Sequence, residues 1–183
     1  MIDGPRPAGP VTAAKYAGGF TLLELMVVVF IVAISAALAM PGFRETTTRS
    51  TVTTIGNDLV GALAQARSEA VKRGLHVAVK GKNGGSDWSS GWDVVVDTTR
   101  DSSFATNLVT REAVKRGFKV TTNGASPARV VFSAQGDLVG AGEFHINVCR
   151  DDKRPDLSRF IRVRTSGEVT SQRNTSASNA PGC

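Results

Sequence analysis

Hydrophobic residues form one long stretch near the start of the chain. From Phe20 to Met40 the only ionisable residue is Glu24. As a helix this stretch would be about 31 Å long, roughly the hydrocarbon thickness of a bilayer. The pattern therefore predicts a transmembrane helix over residues 20–41. Because a charge inside such a segment costs free energy, Glu24 is predicted to have a function.

A second apolar pattern, with helical spacing, follows the first. Between Val52 and Val71 apolar residues recur every three or four positions, as on an amphipathic helix that buries one face. Lys72, Arg73 and Gly74 follow, and basic residues before a glycine are typical of a helix end. The pattern predicts that the helix continues over residues 42–74.

Beyond Gly74 the sequence changes to short β-type runs separated by turn residues. Strands are predicted at residues 75–79, 92–96, 118–121, 129–132, 144–149 and 159–164. The glycine-rich segment 81–91 is predicted to connect the first two as a hairpin. Residues 170–183 are rich in Ser, Asn and Gly and are predicted to form a tail. A long helix followed by strands gives an α+β fold, with the second half of the helix packed on an antiparallel sheet in a head domain over residues 75–183.

The positive charge lies on the second part of the chain. The formal net charge is +6, and within residues 1–41 the charges of Asp3, Arg6, Lys15 and Glu24 cancel. The excess therefore belongs to residues 42–183. It permits contact with anionic partners such as DNA, lipid headgroups or acidic polysaccharide.

Patterns typical of catalysis are missing. Asp93, Asp97 and Asp101 are spaced by four residues, but they fall on a predicted strand and loop, where we expect solvated turn acids. His76 and His145 have no neighbouring nucleophile and no ligand spacing with the cysteines. The glycine-rich segment lacks the spacing of a phosphate-binding or dinucleotide-binding loop. We expect no enzymatic activity, no cofactor and no metal.

Residues 19–24 read Gly-Phe-Thr-Leu-Leu-Glu, between a short basic leader and the apolar stretch. This junction resembles the class III signal of type IV pilins and type II secretion pseudopilins. The resemblance implies that a prepilin peptidase cleaves after Gly19, removing residues 1–19 as a leader, and that Phe20 is then methylated. It also implies that Glu24 pairs with the N-terminal amine of a neighbouring subunit during assembly. The alternatives are a plain membrane anchor with an incidental acid, and an acid that stays solvated near the headgroups.

Later segments are similar to one branch of this group, the GspH/FimT/FimU family. They are residues 64–70 (Ala-Gln-Ala-Arg-Ser-Glu-Ala), the Gly-Trp pair at 91–92, residues 130–136 (Val-Val-Phe-Ser-Ala-Gln-Gly) and residues 162–167 (Arg-Val-Arg-Thr-Ser-Gly). The likeness covers nearly all of residues 14–167. It implies a pilin-like fold and a minor subunit that sits at or near the filament tip and helps initiate assembly.

The resemblance also implies a location and partners. The chain would cross the inner membrane once, with a periplasmic head, and later join a pilus or pseudopilus filament. Expected partners are other minor and major pilins or pseudopilins, the prepilin peptidase and the inner-membrane assembly platform. In the periplasm the two cysteines, Cys149 and Cys183, are most simply bonded to each other. Closing a loop of about 34 residues would stabilise the fold by roughly 3–4 kcal/mol.

Three functions remain open: a minor pilin, a GspH-like minor pseudopilin of a type II secretion system, and a FimT-like DNA-binding pilin. The DNA-binding hypothesis would use a basic strip of Arg159, Arg162, Arg164 and Arg173. DNA-binding relatives carry a Gly-Arg-x-Arg element near the C-terminus. Residues 167–170 of this chain read Gly-Glu-Val-Thr and lack both arginines. DNA is therefore a partner that we do not favour.

Overall fold

The computed structural model of the chain describes residues 19–123, 128–140, 142–152 and 157–173. The described residues form a long helix and a set of short strands. These are α1 (Leu22–Arg73), β1 (Val77–Gly81), β2 (Trp92–Val96), β3 (Thr106–Arg111), β4 (Phe118–Asn123), β5 (Arg129–Phe132), β6 (Phe144–Arg150), β7 (Arg159–Val163) and β8 (Val169–Arg173).

The chain divides into two compact units, residues 1–41 and residues 42–183. Helix α1 contributes to both. In the described part of the chain, no single uninterrupted helical segment is long and apolar enough to cross a membrane. The segments Leu22–Leu38 and Gly42–Arg73 are long and apolar enough only when they are taken together.

The second part of α1 buries the stripe that its sequence predicts, except for Val71 in the last turn, which is 53% exposed. Val52, Leu59, Leu63, Ala66 and Ala70 are all at most 2% exposed. They belong to one hydrophobic cluster that also contains inward-facing side chains of both sheets. Because this stripe and the two sheets share one core, the helix fixes the position of the strands. The helix ends at Arg73, and the glycine after it has a φ of 63°, which is the conformation expected of a C-terminal cap.

The strands form two four-stranded antiparallel sheets, with the orders β3-β2-β1-β5 and β4-β6-β7-β8. Strands β1 and β2 pair from Val77 with Val96 to Gly81 with Trp92, which is the hairpin that the glycine-rich segment predicts. The predicted class, an α+β fold with the second half of a long N-terminal helix packed on antiparallel strands, is confirmed.

Two strands were not predicted, and both lie at sheet edges. Strand β3 pairs with β2 but buries no side chain fully. Strand β8 pairs with β7, with Val169 opposite Val163 and Arg173 opposite Arg159. The prediction that a tail starts at residue 170 is therefore wrong. An edge strand faces solvent along one side and tolerates polar residues, so the hydrophobic pattern that marks central strands is weak there.

Candidate functional site

Helix α1 starts with a polar cap. The backbone N–H of Glu24 donates a hydrogen bond of 3.2 Å to the Oγ1 of Thr21, so Thr21 satisfies one of the free amides of the first turn. Glu24 stands three residues after that cap, where an acid also interacts favourably with the helix dipole. The Glu24 side chain is exposed and forms no ion pair with any residue in the described part of the chain. Its carboxylate is therefore available to another molecule.

The segment that follows exposes an almost continuous apolar surface. Leu22 and Leu38, near its two ends, are each 77% exposed, and Phe30 between them is 67% exposed. A helix that is apolar on all sides requires lipid or protein around it. The peptide bond between Gly19 and Phe20 lies immediately before this helix, and both residues are exposed. The predicted processing site, the predicted assembly acid and the apolar surface thus lie within one short segment.

In the head, three of the segments that carry the family resemblance meet at one side chain. Arg67 of α1 donates a hydrogen bond of 2.8 Å from Nε to the carbonyl oxygen of Gly136. Its Nη2 donates another, of 3.0 Å, to the carbonyl oxygen of Ser166. The two turns also bond to each other, because the Leu138 N–H donates to the Thr165 carbonyl at 2.9 Å. Arg67 therefore joins the helix, the turn after β5 and the turn after β7.

This junction requires glycine in both turns. Gly136 has a φ of 84° and Gly167 a φ of 74°, a region that residues with a Cβ rarely adopt. A Cβ on Gly167 would also collide with the carbonyl oxygen of Gly136 and lie 2.9 Å from Nε of Arg67. In the sequence these residues stand out only by their similarity to the family. Their shared role depends on contacts between segments that are far apart along the chain.

Two members of the predicted basic strip lie at one end of the β7–β8 pair. Arg159 turns toward α1, where its Cδ lies 3.1 Å from the position that a Cβ of Gly56 would occupy. Its Nη1 donates a hydrogen bond of 3.0 Å to Oγ of Ser171. Arg173 pairs with Arg159 in the strand register and is exposed. Arg159 is thus partly occupied by contacts within the head.

The other two members are matched by carboxylates. Nε of Arg162 lies 3.5 Å from Oε2 of Glu143, and the guanidinium lies over the ring of Phe160 at 5.7 Å from its centroid. Nη1 of Arg164 lies 3.0 Å from Oε2 of Glu168. Because Arg162 and Arg159 are three residues apart on one strand, their side chains leave opposite faces of the sheet. The structure therefore does not gather the four arginines into one uncompensated positive surface.

The aspartates between β2 and β3 organise their own loop. Asp97 is 2% exposed, so the expectation that it is a solvated turn acid is wrong. Its two carboxylate oxygens accept hydrogen bonds from the backbone N–H groups of Asp101 and Ser102, at 3.2 and 2.9 Å. Hydrogen bonds, first from Thr99 and then from Ser103, lower the pKa of Asp101 to about 2. Within the described ranges, no group of three or more His, Cys, Asp or Glu side chains could hold a metal ion.

Cys149 lies on β6 and is 1% exposed. Its predicted partner, Cys183, lies outside the described residues. No described cysteine is a free thiol. The pairing of Cys149 with Cys183 stays a prediction.

We expect chain isolated without reductant to have no reactive thiol after denaturation, because Cys149 and Cys183 would be bonded to each other. The variant Cys183→Ser should unfold at a lower temperature, since losing a loop closure of about 34 residues removes roughly 3–4 kcal/mol. Thiol labelling and a thermal scan check this. Wild-type chain in reductant is the control and should unfold at the same temperature as the variant. Two reactive thiols in the unreduced chain would contradict the pairing.

Comparison with known proteins places these features in a family. Residues 56–167 match the family model described as type II transport protein GspH, and residues 14–40 match the prokaryotic N-terminal methylation motif. Fimbrial protein Q of Moraxella bovis is 31% identical over 123 residues, which cover 67% of this chain and 74% of that protein. A fimbrial protein of Pseudomonas aeruginosa is 42% identical over 59 residues, which cover 32% of this chain and only 38% of that protein.

Two solved structures share the fold. The type IV minor pilin FimU of Pseudomonas aeruginosa has a TM-score of 0.60 at 21% identity, covering 72% of this chain and 95% of that one. The minor pseudopilin EpsH from the type 2 secretion system of Vibrio cholerae has a TM-score of 0.53 at 11% identity, covering 68% and 98%. The long N-terminal helix with an exposed apolar part and the β-rich head define a pilin-like fold. The chain belongs to the GspH family, and the resemblance to the GspH/FimT/FimU group is confirmed.

Proposed function

We propose that this chain is a minor subunit of a type IV pilus that helps to initiate filament assembly from the inner membrane. The observation that carries the proposal is the start of α1. There an exposed Glu24 carboxylate, which pairs with no residue that the structure describes, stands four residues after Phe20 and at the head of an exposed apolar helix. The N-terminal methylation motif over residues 14–40 supports it. The name of the Moraxella relative, a fimbrial protein, favours the pilus.

The proposed mechanism begins with the peptidase. Cleavage after Gly19 creates an amine on Phe20, about one helical turn before Glu24. In the hydrocarbon region an isolated charge is costly, and the cost falls when opposite charges meet. The amine of one subunit and the Glu24 carboxylate of its neighbour would neutralise each other only in one axial position. The apolar side chains that follow then pack against those of neighbouring helices, and the head remains outside the helical bundle.

A place at or near the tip is part of the proposal. It is supported by the family match and by the shared fold with FimU, which is described as a minor pilin. A subunit that starts a filament needs the assembly helix and a head that other minor subunits recognise. The groove beside Arg67, of about 610 Å³ and lined partly by Val60, Ala64 and Val169, is a surface that such a neighbour would contact.

A second candidate is a minor pseudopilin of a type II secretion system. The description of the family model and the shared fold with EpsH favour it. Deleting the gene in its own host separates the two. Loss of surface pili with normal protein secretion supports the pilus, and the reverse result supports the pseudopilus. Normal pili together with normal secretion in the deletion strain would overturn both. Any loss must be reversed when the wild-type gene is returned, which is the control.

For DNA we expect weak, non-specific binding. Arg162 and Arg164 are matched by Glu143 and Glu168, so the full chain should bind duplex DNA with a Kd of roughly 10⁻⁴–10⁻⁶ M that weakens steeply with salt. Fluorescence polarisation at two salt concentrations measures this. The double variant Arg162→Gln/Arg164→Gln should change the Kd no more than the control Lys72→Gln/Arg73→Gln. Tight binding that survives physiological salt and is lost only in the first variant would make this a DNA-uptake pilin.

A further inference from the structure

A groove lies at the end of the head where the chain leaves the apolar segment. It has a volume of about 460 Å³ and is formed by the first turns of α1 after Gly42, by the loop before β4 and by the end of β6. The side chains that matter for its chemistry are Phe43, Arg44, Thr48, Lys115, Arg116 and Arg150. We call this set the basic groove.

The cations of the basic groove are poorly compensated. Arg44, Lys115 and Arg116 are exposed, and none forms an ion pair with a residue that the structure describes. Arg150 is fixed, because its Nη1 donates a hydrogen bond of 3.1 Å to Oγ1 of Thr48 while its Nε lies 3.6 Å from Asp152. This differs from Arg162 and Arg164 of the predicted basic strip, which each have a carboxylate partner. The groove is therefore a place where the positive excess of the chain remains open to an anion.

The connectivity of the chain decides where this charge lies. Phe43 and Arg44 follow the apolar segment directly, and consecutive Cα atoms are about 3.8 Å apart. Phe43 and Arg44, at one side of the groove, must therefore lie within about 15 Å of the end of that segment. Phe43 is 74% exposed. An exposed aromatic ring beside basic residues, next to an apolar helix, is the arrangement expected at the headgroup level of a bilayer.

We propose that the basic groove binds the phosphodiester headgroups of anionic phospholipids and holds the head against the bilayer before the subunit enters a filament. The proposal rests on the proposed function, because it requires residues 20–41 to span the membrane. Guanidinium and ammonium groups are the donors that phosphate oxygens accept best. Each basic side chain near an anionic membrane surface raises the ratio of docked to undocked heads roughly fivefold. Removing three therefore lowers that ratio on the order of 100-fold.

The test uses the full chain inserted into lipid nanodiscs. Hydrogen–deuterium exchange is measured over residues 43–51 and 114–118 in phosphatidylcholine discs, in discs that also contain phosphatidylglycerol, and in phosphatidylcholine discs with dissolved inorganic phosphate. The test variant is Arg44→Gln/Lys115→Gln/Arg116→Gln. The matched control, Lys72→Gln/Arg73→Gln/Arg100→Gln, removes the same charge near the end of α1, about 44 Å along the helix from Arg44.

We expect slower exchange over both segments only with phosphatidylglycerol, retained in the control and lost in the test variant. Equal exchange in the three conditions, with the chain inserted, would overturn the basic groove alone. Equal protection by dissolved phosphate would replace the lipid by a free anion and overturn the membrane-docking role. Protection that persists in the test variant would assign it to other residues. A chain that does not co-elute with the discs would overturn the membrane anchor, and with it the proposed function.

Discussion

Replacing Glu24 by Gln should remove the chain from filaments while leaving its head folded. Glu24 is exposed and its side chain is unpaired in the described chain, and the cap uses its backbone N–H, so the substitution breaks no contact with another described residue. In the assembled state it would leave a neighbour's amine without a counter-charge in a region of low dielectric. That loss is on the order of 2–3 kcal/mol, or roughly 100-fold in incorporation.

The measurement compares the amounts of wild-type and Glu24→Gln chain in sheared filaments and in membranes. A control within the same apolar segment is Ser35→Ala, because among the described residues the Ser35 hydroxyl donates only to the carbonyl of Ile31 in its own helix, at 2.8 Å. This control should enter filaments normally. Both variants should melt like the wild type, since the buried stripe of α1 begins at Val52. Normal incorporation of Glu24→Gln would show that the acid is dispensable.

The second large effect is expected at Gly167. The substitution Gly167→Ala should destabilise the head by about 3 kcal/mol or more. A left-handed backbone costs a residue with a Cβ roughly 1–2 kcal/mol, and the new methyl group would also press on the Gly136 carbonyl that Arg67 binds. Denaturant unfolding of the full chain in detergent measures the free energy of unfolding.

Gly84→Ala is the matched control for this prediction. Gly84 has a φ of 70°, close to the 74° of Gly167, but a Cβ there meets no atom within 4 Å. The control therefore isolates the backbone term, about 1–2 kcal/mol, and the difference between the two variants measures the close approach at the junction. Equal losses of stability in the two variants would mean that the junction adapts to the added methyl group. Gly167 would then be needed only for the positive φ of its turn.

Much of the fold follows from periodicity. The stripe from Val52 to Ala70 repeats at helical spacing and is buried as predicted. Strands β2 and β5 begin and end at the predicted residues, because their apolar runs are bounded by turn residues. Strand β8 reads Val-Thr-Ser-Gln-Arg and lies at a sheet edge, so its sequence resembles that of a polar tail. Its pairing with β7 depends on tertiary contact rather than on local pattern.

The residues of the candidate site likewise fall into those that the sequence predicts and those that only tertiary contacts bring together. Gly19, Phe20 and Glu24 are predicted from sequence as processing and assembly residues because they form one linear motif, and those roles stay a prediction. The bonds of Arg67 to Gly136 and Ser166 join residues 69 and 99 positions apart, and no local period reveals such a contact. The basic groove likewise collects cations from α1, from the loop before β4 and from β6.

The most direct measurement is the intact mass of this chain recovered from sheared pili of its own host. If it is a processed filament subunit, its mass will correspond to residues 20–183 with one methyl group added, and fragmentation will place the methyl on the amine of Phe20. A chain in those filaments that still carries residues 1–19, or one that never leaves the membrane fraction, would contradict its assignment as an assembled minor pilin.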